Sequence, residues 1–245
     1  MNHAEDTPER AGAHKEKDRL LDVAYRTVET LLQSYYTLTV SHAERLDPLK
    51  GKGFILLPNH QSQQDIPLEG ILLKQHLNRY AYYIMMGTLR FAKIYERFRG
   101  ISITQGYSVR QQAQDRKARK DALQQARAQA KGVEDTMLRL LARQEILVVH
   151  IQGGRYYKQP FTVNKPNLKR LLDLQPRLGR PIPFVPLTLY YEANLFPLSP
   201  VHLDVGTPLE VRDGDLDTLA TRLHQEITGA YAQAENSVKP PWLRS

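Results

Sequence analysis

A chain of 245 residues suits one large domain or two small ones, and 41% hydrophobic with 24% charged residues is the make-up of a folded protein, not a disordered one. The absence of cysteine excludes disulfide staples, thiolate zinc sites and cysteine nucleophiles together. The formal charge is +8, and because residues 1–18 hold three Lys or Arg against five Asp or Glu, the rest of the chain carries +10 and attracts anionic partners without choosing among them.

In chain order, residues 1–18 are small and charged with no apolar period, and read as a flexible tail ahead of one domain over 19–245. They are too polar for a secretory signal peptide. From 19 to about 36 the set Leu20, Val23, Ala24, Val28, Leu31, Leu32 and Tyr35 recurs at three and four residue spacing, which predicts an amphipathic helix able to pack on the body or lie in a lipid interface. A short strand is expected at 52–57. The polar stretch 59–65 follows it, and then an apolar helix opens with Pro67 in its first turn, where a missing N–H costs nothing.

A strand at 82–86, a helical stretch around 89–98 and a strand at 101–104 repeat the rhythm. A long helix is expected over 108–143, broken near Gly132, and between 106 and 132 it holds seven basic and two acidic residues. A strand at 146–150 runs into the glycine turn Gln152-Gly153-Gly154-Arg155, followed by irregular chain to about 166. Strands at 182–191 and 201–205 and a closing helix from 216 to about 232 complete the pattern. Strands alternating with helices predict an α/β fold with a largely parallel central sheet flanked by helices. No apolar run approaches the roughly 18–20 residues that span a bilayer.

The sharpest local feature is Asn59-His60-Gln61-Ser62-Gln63-Gln64-Asp65, between a strand and a helix. Strand ends are where α/β proteins place ligands. A histidine can take a proton from a hydroxyl near neutral pH, and a carboxylate on its other ring nitrogen fixes the tautomer and stabilises the imidazolium. The alternative makes Asp65 a helix N-cap and His60 a loop histidine.

The stretch resembles the H-x4-D motif of the phospholipid and glycerol acyltransferases, written N-H-x-S-x-x-D, through Asn59, His60, Ser62 and Asp65. The resemblance runs on in order: 82–105 is similar to the family's second block, 148–155 to the third, usually F-P-E-G-T-R-S and here His150-Ile151-Gln152-Gly153-Gly154-Arg155-Tyr156, and 182–187 (IPFVPL) to the fourth. It implies a glycerolipid acyltransferase-like fold with His60 and Asp65 as the catalytic pair. His60 would act as general base on an acceptor hydroxyl that attacks the thioester of acyl-CoA or acyl carrier protein, with no bound cofactor or metal. Gln152, Gly153, Gly154 and Arg155 would hold the acceptor, Arg155 through its planar two-pronged fork. Asn59, Ser62 and Arg110 would support them.

The departures are Gln152 for glutamate, Gly154 for threonine, Tyr156 for serine, and Gln105 for an arginine, with Arg110 the nearest downstream cation. The standard acceptor, 1-acylglycerol 3-phosphate, is one expectation; another lyso-lipid or hydroxylated acceptor is the other. The resemblance implies a peripheral protein at the cytoplasmic membrane face; nucleic acid is not expected as a partner, because the basic helix comes with no recognition module and no aromatic stacking platform. Its rival is a non-catalytic relative that binds lipid or a partner.

Other chemistries have less footing. No G-x-S-x-G elbow or H-E-x-x-H pair is present. His150, in an apolar strand before the glycine turn, reads as a satisfied core histidine. His202 and Asp204 alternate along a strand, with nothing else there to suggest chemistry.

Overall fold

The computed structural model describes residues 8–86, 99–103, 116–157, 160–192, 199–211 and 215–238. The helix expected at 89–98, Gln105 and Arg110 lie outside these residues. Among the described residues seven strands form one sheet in the order β1-β7-β6-β2-β5-β3-β4, parallel throughout except where β6 and β7 run antiparallel. Its strands are β1 (Tyr36–Ser41), β2 (Ile55–Pro58), β3 (Ala81–Met86), β4 (Gly100–Ile103), β5 (Ile146–Val148), β6 (Phe184–Tyr191) and β7 (Ser199–Val205). The helices are α1 (Pro8–Tyr35), α2 (Asp65–Leu77), α3 (Arg116–Ala142), α4 (Lys165–Leu172), α5 (Leu174–Leu178) and α6 (Leu216–Val238), with a 3-10 turn at Ala43–Leu49. None of the described helices is long and apolar enough to cross a membrane.

Helices cover both faces of the sheet, so the central strands are continuous apolar runs. Alternate residues of β2 supply the two halves of the core. Leu56 joins Leu68, Leu72, Leu73 and Tyr83 beneath α2, while Ile55 and Leu57 join Met137, Leu141, Leu219 and Leu223 beneath α3 and α6.

β1, the 3-10 turn, α4 and α5 escape the sequence reading, because elements this short repeat a period only two or three times at most. α3 runs unbroken through Gly132. The first helix starts at Pro8, inside the stretch read as a tail: Ala, Glu, Lys and Arg there favour helix although no apolar stripe marks it. Its expected single apolar face is divided. Leu21 is buried and Leu32 and Tyr35 pack on the core, whereas Val23 and Leu31 stand 64% and 63% exposed.

Because β2, β5 and β6 are parallel, the segments leaving their C-terminal ends emerge along one edge of the sheet. Residues 59–64 follow β2, residues 149–157 follow β5, and the last residues of β6 project beside them.

Candidate active site

The site is built on a length mismatch. β2 ends at Pro58 opposite Leu187, but β6 continues to Tyr191, which leaves the backbone of Leu189 without a strand neighbour on that side. The Asn59 side chain takes the missing place: its Nδ2 donates to Leu189 O at 2.9 Å and its Oδ1 accepts from Leu189 N at 2.6 Å. Gln61 Nε2 donates to the same carbonyl at 2.5 Å. The loop is thus fastened to β6 on either side of His60.

The glycine turn after β5 holds the His60 peptide itself. Gln152 Oε1 accepts from His60 N at 2.8 Å, and Tyr156 N donates to His60 O at 2.8 Å. Gln152 therefore uses its carbonyl oxygen as a mount, a job that glutamate would do with one carboxylate oxygen. Gly153 has φ +76°, a conformation that L side chains rarely adopt.

Asp65, at the first turn of α2, reaches backward along the chain. Its Oδ2 accepts from Gln61 N (2.7 Å), Ser62 N (2.9 Å) and His60 Nδ1 (2.8 Å), while Oδ1 accepts the Tyr191 hydroxyl at 2.5 Å. The helix-cap alternative is not what forms: residue 64 occupies the cap position and makes no side-chain cap bond. A carboxylate only accepts, so Nδ1 of His60 carries the hydrogen and Nε2 is the ring atom able to receive a proton. Asp65 is fully buried and the His60 side chain is 16% exposed, so the pair is anchored inside and touches solvent only at the ring.

Burial pushes His60 below the ordinary histidine value of 6.5 against the pull of Asp65, and His150 and Arg155 add to the depression. Tyr191 is held well above 10 by burial and by the Asp65 charge, and so remains a neutral donor.

A second histidine and carboxylate lie alongside. His150 Nε2 meets Glu69 Oε1 at 2.9 Å, and the His150 and His60 rings stand 4.1 Å apart, tilted by 35°. Asp65 and Glu69 are four apart on α2 and share its buried face, which places two charged residues where apolar ones belong. Burial works against a charged His150, but the charge and hydrogen bond of Glu69 outweigh it and hold this ring above 6.5. His150 is thus satisfied, as the sequence suggests, though by a carboxylate and not by the apolar strand around it.

His60, Asp65 and His150 offer ligand atoms within 4.8 Å of one another, the spacing of a metal trio. Both Asp65 oxygens already accept donors, three on one and one on the other, and His150 is committed to Glu69. A cation bound by Asp65 would have to displace donors from that network, which as it stands leaves His60 Nε2 open to receive a proton.

Of the other predicted residues, Ser62 donates its N–H to Asp65 and its hydroxyl to Gln64. Gly153 and Arg155 are exposed beside the pair. A cavity of about 310 Å³ opens on the α6 side of the loop, walled by Asn59, Gln61, Gln152, Tyr156, Tyr231 and Glu235. Burial pushes the Tyr231 hydroxyl up to about 12, which keeps it a neutral donor there. Glu69 and Tyr191 are missed by the sequence reading. Glu69 is findable as one turn beyond Asp65 on the same helix face; Tyr191 arrives from 126 residues away and gives no local signal.

A family model described as Acyltransferase matches residues 37–190, from β1 to the end of β6. No curated protein matches the chain.

Proposed function

We propose, because this chain belongs to the acyltransferase family, that it moves a fatty acyl group from a thioester donor, acyl-CoA or acyl carrier protein, to a hydroxyl of a lysophospholipid or related glycerolipid. The observation that carries the reading is the 2.8 Å bond between His60 Nδ1 and the buried Asp65. It fixes the tautomer whose Nε2 can accept the acceptor's hydroxyl proton and stabilises the imidazolium that results. The alkoxide oxygen attacks the thioester carbonyl, the C–S bond breaks as the new C–O bond persists, and the proton on His60 passes to the departing thiolate. No acyl-enzyme is required, consistent with a chain that has no cysteine.

The cavity beside Gln61, walled by Asn59, Gln152, Tyr231 and Glu235 together with the apolar Pro160, Phe161 and Ala232, offers hydrogen-bonding groups to the head of the acceptor. At about 310 Å³ it is at the small end of ligand-sized sites, so the acyl chains lie outside it. Arg155, exposed at the glycine turn, is suited to a phosphate on either substrate. A lipid acceptor places the work at a membrane surface, and a body of charge +10 favours the anionic face of one.

The test is thiol release from acyl-CoA and acyl carrier protein against a panel of lysophospholipids, 1-acylglycerol 3-phosphate among them, and other hydroxylated lipids, with products identified by mass. Acyl product that disappears in His60→Ala supports the reading and identifies the acceptor. An ordered protein that binds lipid but yields no product with any pair, or a His60→Ala variant as active as wild type, overturns it in favour of a non-catalytic relative.

A further inference from the structure

The acyl-transfer step uses His60 and Asp65 and leaves His150 and Glu69 without a task. Their placement is costly: Glu69 is wholly buried, its Oε1 reaches His150, and its Oε2 has no hydrogen-bond partner. Burial pushes the Glu69 carboxyl up, and the charge and hydrogen bond of His150 pull it back; a carboxylate oxygen left unpaired in an interior calls for a role.

Two imidazolium rings 4.1 Å apart in a buried site repel strongly, so a first proton entering this pair of rings excludes a second. The two carboxylates decide which ring takes it. Asp65 spreads its charge over four donors, Gln61 N, Ser62 N, His60 Nδ1 and the Tyr191 hydroxyl. Among the described residues Glu69 has His150 alone to lean on: the phenols Tyr25, Tyr83 and Tyr191 on α1, β3 and β6 feel its charge without supplying a positive one, and Asp65 beside it on α2 repels it. The undivided carboxylate is the stronger draw for the proton.

We propose that His150, gripped by Glu69, is a positioning residue that takes the site's proton first and thereby keeps the His60 ring in its neutral, proton-accepting form. The proposal rests on the reading of His60 as general base. The groups facing His60 are Asp65 from α2, His150 from the end of β5 and Arg155 from the glycine turn; those facing His150 are Glu69 and Asp65 from α2 and the His60 ring. Arg155 pushes His60 the same way as a charged His150, but it is exposed and screened by solvent, whereas His150 is not.

The experiment is ring titration of the full chain labelled at histidine and followed by NMR, with His60→Ala and His150→Gln used to assign the two rings, alongside the pH profile of kcat/KM for thiol release. In wild type His150 is expected to titrate at higher pH than His60. In His150→Gln, and equally in Glu69→Gln, where His150 loses its counter-charge, the His60 titration and the acidic limb of the pH profile both move to higher pH. A role confined to packing would lower stability and leave both where they are. The proposal is overturned if His60 titrates above His150 in wild type, which is read without any variant having to fold, or if neither substitution moves His60. Ring titration needs no substrate, so a protein that shows the expected ordering but transfers no acyl group sinks the function and not the coupling; an active enzyme with an unmoved limb sinks the coupling and not the function.

Discussion

Replacing Asp65 with asparagine exchanges one buried oxygen for an amide, and the hydrogen bonds show which one. The Oδ2 position accepts three donors and must remain oxygen, whereas the Oδ1 position faces only the Tyr191 hydroxyl, which can turn and accept. Asparagine therefore fits with its amide toward Tyr191, and the loop keeps its shape. What is lost is the charge behind the His60 bond. A hydrogen bond to an ionised group contributes about 1.5–3 kcal/mol against about 1 kcal/mol for a neutral one, and the difference appears when His60 becomes imidazolium. With about 1.4 kcal/mol per tenfold in rate, a difference of up to about 2 kcal/mol lowers kcat/KM by roughly tenfold. Alanine instead strands the Gln61 and Ser62 N–H groups at about 1–3 kcal/mol each, so Asp65→Ala loses stability where Asp65→Asn largely does not. Thiol release measured beside thermal unfolding separates the two. Asp65→Asn within about threefold of wild-type kcat/KM, at unchanged Tm, refutes the assignment of Asp65 as the partner that stabilises the charged base.

Asn59→Ala removes its two bonds to Leu189 and leaves the buried Leu189 N–H unpaired, while Gln61 still serves the carbonyl, so a loss of about 1–3 kcal/mol in denaturant unfolding is expected, with activity falling as the loop loosens. A methyl at Gly53 would stand 2.9 Å from Gln144 Cα and 3.0 Å from Glu145 O, both backbone; Gly53→Ala is expected to lower Tm by about 2–10 °C, and an unchanged Tm would show that the β2 and β5 segments can separate freely there. With His60 depressed below 6.5, its neutral base form persists as pH falls through that value, so activity holds at pH 6.5 and is lost only on the acid side. The same depression gives a stability term present above pH 6.5 and lost as pH falls through the folded value, which His60→Ala removes; unfolding midpoints across that range check it. Binding to anionic vesicles, followed by co-sedimentation, is expected to weaken from low to physiological salt and to be small for neutral vesicles.

The fold was readable where a period had room to repeat. The β2 run, α2 with Pro67 in its opening turn, and the long α3 each carry their own pattern, and the order of strands and helices implies the parallel sheet. The pair His60 and Asp65 was readable because both partners lie in one seven-residue stretch. What did not show is everything that depends on which strand lies beside which: Leu189 as the anchor of Asn59, Tyr191 as the fourth donor on Asp65, and Gln152 as a support for the His60 peptide. Those contacts cross 92 to 130 residues of chain and follow from β6 outrunning β2, a matter of register that no local window contains. His150 shows the limit from the other side: its burial was legible, but its charge partner is set by the stacking of α2 over β5.

The suspension of the His60 loop from β6 also orders events at the ribosome. Residues 59–65 leave the exit tunnel early, yet the backbone they hang from is not made until Leu189 has been added, and Tyr191 follows two residues later. The reactive ring is therefore held in no fixed pose while more than half of the chain is still being synthesised. The geometry at His60 becomes a readout of finished β6 pairing, and a polypeptide truncated before this strand keeps both residues of its motif yet lacks the scaffold that makes them a pair.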